Sequence, residues 1–166
     1  QVGSAMFTPN LFGVLGVEPI LGRVPTWEEA RDSAPPIMIG YEAWQRRWGG
    51  DPDLLGSTVE VDGSLMPVVG ILPGGFTLPV DYSASNVSEI FVPGYVDLES
   101  PAPPLGGGGS HGYFAVARLL EGVTVEEARW DLQRVQGRVG PNGLYAPERR
   151  FSRRVFAAVQ DIVGGA

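Results

Sequence analysis

The spacing of apolar residues along this chain changes several times, and each change predicts an element. Thr8-Pro9 offers a helix N-cap followed by proline at the first helical position. Leu11, Phe12 and Leu15 then share one helical face, and Gly16 supplies the left-handed residue that commonly ends a helix, so a short helix is predicted over Pro9 to Leu15. Thr26 and Glu29 have the spacing of a capping box, which predicts a second helix from Trp27 to Asp32. After the break at Pro35-Pro36, the apolar run Ile37-Met38-Ile39 fits a buried strand. Tyr41, Trp44 and Trp48 recur at helical spacing, and Gly49-Gly50 stops that helix. Val59 and Val61 alternate in a strand over Ser57 to Val61, and Asp62-Gly63 suits a two-residue type I′ hairpin turn leading to a partner strand, Ser64 to Leu72. Pro67 cannot donate to a ladder, so it is expected to face away from the paired neighbour or to sit at a bulge.

Glycine and proline dominate from Pro73 to Gly112, interrupted by a short strand at Glu89 to Pro93, and residues 101–112 read as a flexible loop. Tyr113 to Leu120 alternates as a strand would. A second capping box, Thr124 with Glu127, then starts a helix of about four turns on which Val125, Ala128, Leu132, Val135 and Val139 form one apolar stripe. A last strand is predicted over Phe151 to Gln160. Helices and strands mix without regular βαβ alternation, so the expected class is α+β: mixed sheets with amphipathic helices packed on one face. The expected organisation is one domain over 1–166. Within it, 33–100 could form a subdomain carrying the hairpin, and 113–160 the helix and terminal strand.

At 166 residues the chain is long enough to bury roughly 70% of its unfolded surface. No apolar run approaches the roughly 18 to 20 residues of a membrane-spanning helix, and no signal peptide is visible. A start at Gln1 and an abrupt end after Ile162 to Ala166 read as an excised piece of a longer protein. The absence of cysteine removes disulfides and thiolate chemistry. A net charge of -7 argues against a nucleic-acid partner, because such binders carry a basic field.

The sequence offers little catalytic chemistry. The single histidine, His111, sits in a glycine-rich loop beside Ser110, and adjacent residues rarely orient each other for proton transfer. Gly107, Gly109 and Gly112 match the letters of a dinucleotide motif but precede a strand rather than a helix. Asp51, Asp53 and Asp62 lack the ligand spacing of a calcium loop. No catalytic, cofactor-binding or metal-ligating residue is expected, and no cofactor.

The order of phrases is more informative. Pro9-Asn10-Leu11-Phe12, Leu15-Gly16-Val17-Glu18-Pro19 and Leu21-Gly22-Arg23 are followed by Ile37 to Tyr41, Trp44, Arg46-Arg47 and Gly49-Gly50-Asp51-Pro52. Then come Val61-Asp62-Gly63, the run Val68 to Phe76, Phe91-Val92-Pro93, Ala117-Arg118-Leu119 and Gly122-Val123-Thr124. This order resembles the MacB-like periplasmic core domain of ABC-transporter permeases, closest in flavour to the duplicated orphan permeases of soil bacteria. The similarity covers most of Thr8 to Leu132. The resemblance implies an α+β domain of two subdomains, with its opening helix and strands lying upstream of this chain. It also implies a place on the outer face of the cytoplasmic membrane, anchored through flanking membrane helices, and a noncatalytic, mechanical role. Partners so implied are a cytoplasmic ATPase, and a periplasmic protein or a second permease copy. A free-standing periplasmic or surface binding module is the alternative.

Two features remain as candidate partner contacts. Trp130 lies off the apolar stripe of its helix, whereas Trp44 and Trp48 lie on a core-facing one. Arg149, Arg150, Arg153 and Arg154 form a basic cluster in an acidic chain, with solvated strand positions as the simpler reading.

Overall fold

The computed structural model describes residues 3–78, 87–96 and 114–139. They fall in two compact units, one built mainly from Gln1–Val96 and the other from Asp97–Ala158.

The first unit is organised around a strand of three residues. Strand β3 (Ile37–Ile39) has every side chain fully buried, which requires apolar cover on both faces. Two longer strands flank it: β5 (Ser64–Ile71) runs parallel to it and β6 (Ile90–Pro93) antiparallel. Strand β1 (Ser4–Phe7) extends the sheet beyond β6 in parallel, and β2 (Leu21–Gly22) pairs antiparallel with β5. The resulting order is β1-β6-β3-β5-β2, with β4 (Thr58–Val61) also paired to β5.

Alternation along β3 divides the core in two. Ile37 and Ile39 join Val68, Ile71 and Ile90 beneath Ala43 and Trp44 of helix α2 (Tyr41–Trp48). Met38 points the other way and joins Leu72 and Phe91 beneath Phe12 of helix α1 (Leu11–Leu15). The second cluster is aromatic: the Phe12 ring lies 4.9 Å from Phe7 and 5.6 Å from Phe76. The mixed α+β architecture is as expected, but α1 and α2 cover opposite faces of the sheet rather than one. A strand as apolar as Ile37-Met38-Ile39 leaves no face to water, so each side needs its own cover.

Local signals account for most boundaries. Gly16 and Gly49 end α1 and α2 in the left-handed conformation. Asp62 and Gly63 both have positive φ, +50° and +82°, as a type I′ turn demands. Pro67 lies opposite Thr58, between the hydrogen-bonded pair Val59–Met66 and the bond from Val68 N–H to the Ser57 carbonyl. Its ring therefore occupies a position whose N–H would point away from β4, as its chemistry requires. Trp44 is buried and donates its indole N–H to the Asp51 carbonyl at 2.9 Å, and Trp48 packs half-buried against the same cluster.

Three further expectations are corrected. Helix α1 begins at Leu11 rather than Pro9, with no side-chain cap, because the Thr8 carbonyl rather than its hydroxyl receives the Leu11 N–H. The predicted helix Trp27 to Asp32 is only a 3-10 turn, Glu29–Arg31. The capping box holds that turn, but of its side chains only Ala30 is buried, too little to extend a helix. In the second unit, residues 114–120 form no strand: their alternation finds no ladder among the described residues, and Phe114 and Leu120 are exposed.

Helix α3 (Val125–Val139) of that second unit is as predicted. Its capping box is complete, with Thr124 N–H donating to Glu127 and Glu127 N–H donating to the Thr124 hydroxyl. The bonds that the Thr124 N–H and then the Thr124 hydroxyl donate to the Glu127 carboxylate hold that carboxyl below its usual pKa. The predicted terminal strand lies outside the described residues.

Candidate functional site

Polar side chains on the first unit are mostly spent on fixing turns. The Arg23 guanidinium grips Glu29 through two bonds of 2.5 and 2.8 Å, and Glu29 also accepts the Thr26 N–H at 2.8 Å. Bonds from Arg23 first, then from the Thr26 backbone, pull the Glu29 carboxyl from 4.5 to about 2. The same pair raises the Arg23 pKa. This arrangement clamps the 3-10 turn to the end of β2. It presents no free acid or base.

A second group joins that turn to the end of β6. Arg31 donates to the Tyr95 hydroxyl at 2.7 Å, and its guanidinium carbon stands 4.1 Å from the Tyr95 ring centroid. Trp27 meets the same ring edge-on at 6.4 Å. Both rings are partly open to solvent, Trp27 at 42% and Tyr95 at 39%. Such a fixed Trp-Tyr-Arg patch has the composition of a protein contact. Sequence reading missed it because the Arg31–Tyr95 contact spans 64 positions, and nothing in the local pattern announces it.

Glu89 similarly ties α2 to β6, bonding Arg46 at 2.5 Å and Arg47 at 3.3 Å. Glu42 accepts the Gly75 N–H at 2.8 Å and so fastens the turn after β5. Asp51 accepts the Asp53 N–H at 2.9 Å, a turn-starting role, and Asp62 belongs to the hairpin turn. Among the described residues there is no group of three His, Cys, Asp or Glu that could hold a metal. One shallow, open groove of about 390 Å³ is lined by Gly22, Arg23, Leu55, Gly56, Val68 and Val69. Its walls are backbone, aliphatic side chains and an arginine already held by Glu29, a set with no nucleophile.

Of the residues singled out from sequence, Trp130 is placed on α3 and is 70% exposed, away from the half-buried Val125 and Ala128. Its neighbours pair among themselves, Arg129 with Glu126 and Arg134 with Asp131. His111, Gly107 to Gly112, Arg149, Arg150, Arg153 and Arg154 lie outside the described residues. Among the described residues no helix is long and apolar enough to cross a membrane.

No curated protein matches the chain. One solved structure it matches, a domain assigned to a permease protein of Porphyromonas gingivalis, is 21% identical with a TM-score of 0.45. That match covers 81% of this chain and 58% of the other. The family model for the MacB-like periplasmic core domain matches residues 1–135. The chain therefore belongs to the MacB-like periplasmic core domain family, an extracytoplasmic part of ABC-type permeases.

Proposed function

We propose that this domain is noncatalytic and works by contact, passing conformational change across the membrane between a cytoplasmic ATPase and a substrate or partner protein outside. The observation that carries the reading is the family match over residues 1–135. The build of the first unit supports it. A sheet buried on both faces and cross-tied by Arg23–Glu29, Arg31–Tyr95 and Arg46–Glu89 transmits displacement with little internal give. Trp130 is the proposed partner contact of the second unit, and the arginines at 149, 150, 153 and 154 a further one. The partner is a periplasmic protein or a second permease copy.

The test uses the complete permease assembled with its ATPase in membranes. A spin label at Met6, 73% exposed on β1, reports its surroundings in the nucleotide-free and ATP-trapped states. Coupling predicts different spectra in the two states. Identical spectra there and at a second label replacing Trp130 would contradict it.

A further inference from the structure

The edge partner of β5 changes partway along the strand. Ser64 to Pro67 pair with β4, whereas Gly70 and Ile71 pair with β2, and both partners use the same edge because β3 takes the other. The exchange occurs within two residues. Gly56 N–H donates to the Val68 carbonyl at 2.8 Å, and Arg23 N–H donates to the Val69 carbonyl at 2.9 Å. Consecutive carbonyls of a regular strand point to opposite edges, so two on one edge mark a bulge at Val68–Val69. The β3 register slips at the same place, Ile37 opposite Val68 and Met38 opposite Gly70. The bulge also explains why Val68 and Ile71, three residues apart, face the same core cluster.

The two sides of this bulge differ in anchorage. On the sheet side Ile37, Ile39, Ile71 and Leu72 are fully buried. On the hairpin side, residues 58–67 bury only Val61, with Val59, Met66 and Pro67 half-buried and Leu65 63% exposed. A two-stranded hairpin is marginal by itself, and segments with few buried apolar side chains open before the rest. The open groove lies at the junction, lined by Gly56, Val68 and Val69 on one side and Gly22 and Arg23 on the other. Gly56, at φ +81°, has nothing within 4 Å of the place a Cβ would occupy.

We propose that the hairpin Thr58 to Pro67 is an arm that opens as one unit about the Gly56–Ser57 and Val68–Val69 junction while the rest of the sheet stays closed. Val61 is its latch. The arm is a conformational device of the fold itself and does not depend on the transport reading, so either can fail alone.

Native-state hydrogen exchange on the 166-residue chain tests it. The reporters are the amides of Val59, Val61, Ser64 and Met66, which lie in the hydrogen-bonded pairs of the hairpin, and the Leu72 amide, bonded to the Ile39 carbonyl at 2.9 Å. The hairpin amides are expected to exchange through one shared opening, roughly tenfold or more faster than Leu72 and with a shallower dependence on denaturant. Phe12→Leu, on the opposite face, is expected to speed Leu72 exchange and leave the hairpin rates unchanged. Merging of all five rates, or equal acceleration of both classes by Phe12→Leu, would overturn the proposal.

Discussion

Gly22 and Gly70 stand opposite each other across the β2–β5 pair, and neither has room for a side chain. A Cβ on Gly22 would run into the Val69 carbonyl oxygen, and one on Gly70 would stand 2.5 Å from the Arg23 carbonyl oxygen. Gly22 also has φ +75°, a conformation costing other residues about 1–2 kcal/mol before any clash. Gly22→Ala is therefore expected to destabilise the chain by at least about 2 kcal/mol, read from the urea midpoint. Gly13, inside α1 with nothing within 4 Å of its Cβ position, is the contrast: Gly13→Ala is expected to stabilise by about 0.5–1 kcal/mol. Equal effects at the two positions would contradict the close approach.

Phe12 is fully buried among Phe7, Phe76 and Phe91. Phe12→Ala removes the centre of that cluster and is expected to cost about 3–5 kcal/mol. Phe114, at 72% exposure, is expected to tolerate the same change within about 0.5 kcal/mol. Thermal unfolding of the two variants separates them.

Glu29 gives the stability a pH signature. Its pKa is lowered on folding from 4.5 to about 2, so its contribution is present above pH 4.5 and is lost as pH falls through about 2. Arg23 is half-exposed, with 53% of its side chain accessible, so solvent screening reduces the benefit to about 1 kcal/mol. Glu29→Gln should cost that amount near neutral pH, with the gap from the unmodified chain closing between pH 4.5 and 2. Urea midpoints measured across that range check it, and a gap independent of pH would rule the pair out as its source.

Where a signal is local, the sequence is explicit: the Asp62-Gly63 turn, the Thr26 and Thr124 capping boxes, and the glycine stops after Leu15 and Trp48 all form as their residue types require. Strand β1 was not legible because only Phe7 of its four residues is buried, and its partner β6 comes far later in the chain. The two residues of β2 are too few to show any period. The bulge at Val68–Val69 is invisible in sequence because it answers to two edge partners brought together only by folding. The exposure of Trp130 was legible from helical spacing, whereas the Trp27–Arg31–Tyr95 patch depends on tertiary proximity.

In the second unit Trp130 is a proposed contact and Thr124 a helix cap, so their substitutions are expected to differ. Thr124→Ala removes the cap that bonds the Glu127 N–H and is expected to weaken α3 by about 1 kcal/mol, visible as lost helicity. Trp130→Ala, at a 70% exposed position, should leave the melting temperature of the isolated chain nearly unchanged. A large loss of stability would make Trp130 a structural residue instead.

A place outside the cytoplasmic membrane, as part of a permease, can be measured in intact cells because the chain lacks cysteine. Leu65→Cys or Met6→Cys, both at strongly exposed positions, would be placed in the complete permease after removal of any cysteines elsewhere in it. Intact cells would then be treated with a maleimide that cannot cross the inner membrane. Labelling is expected in intact cells; labelling that appears only after the inner membrane is broken would contradict an extracytoplasmic location.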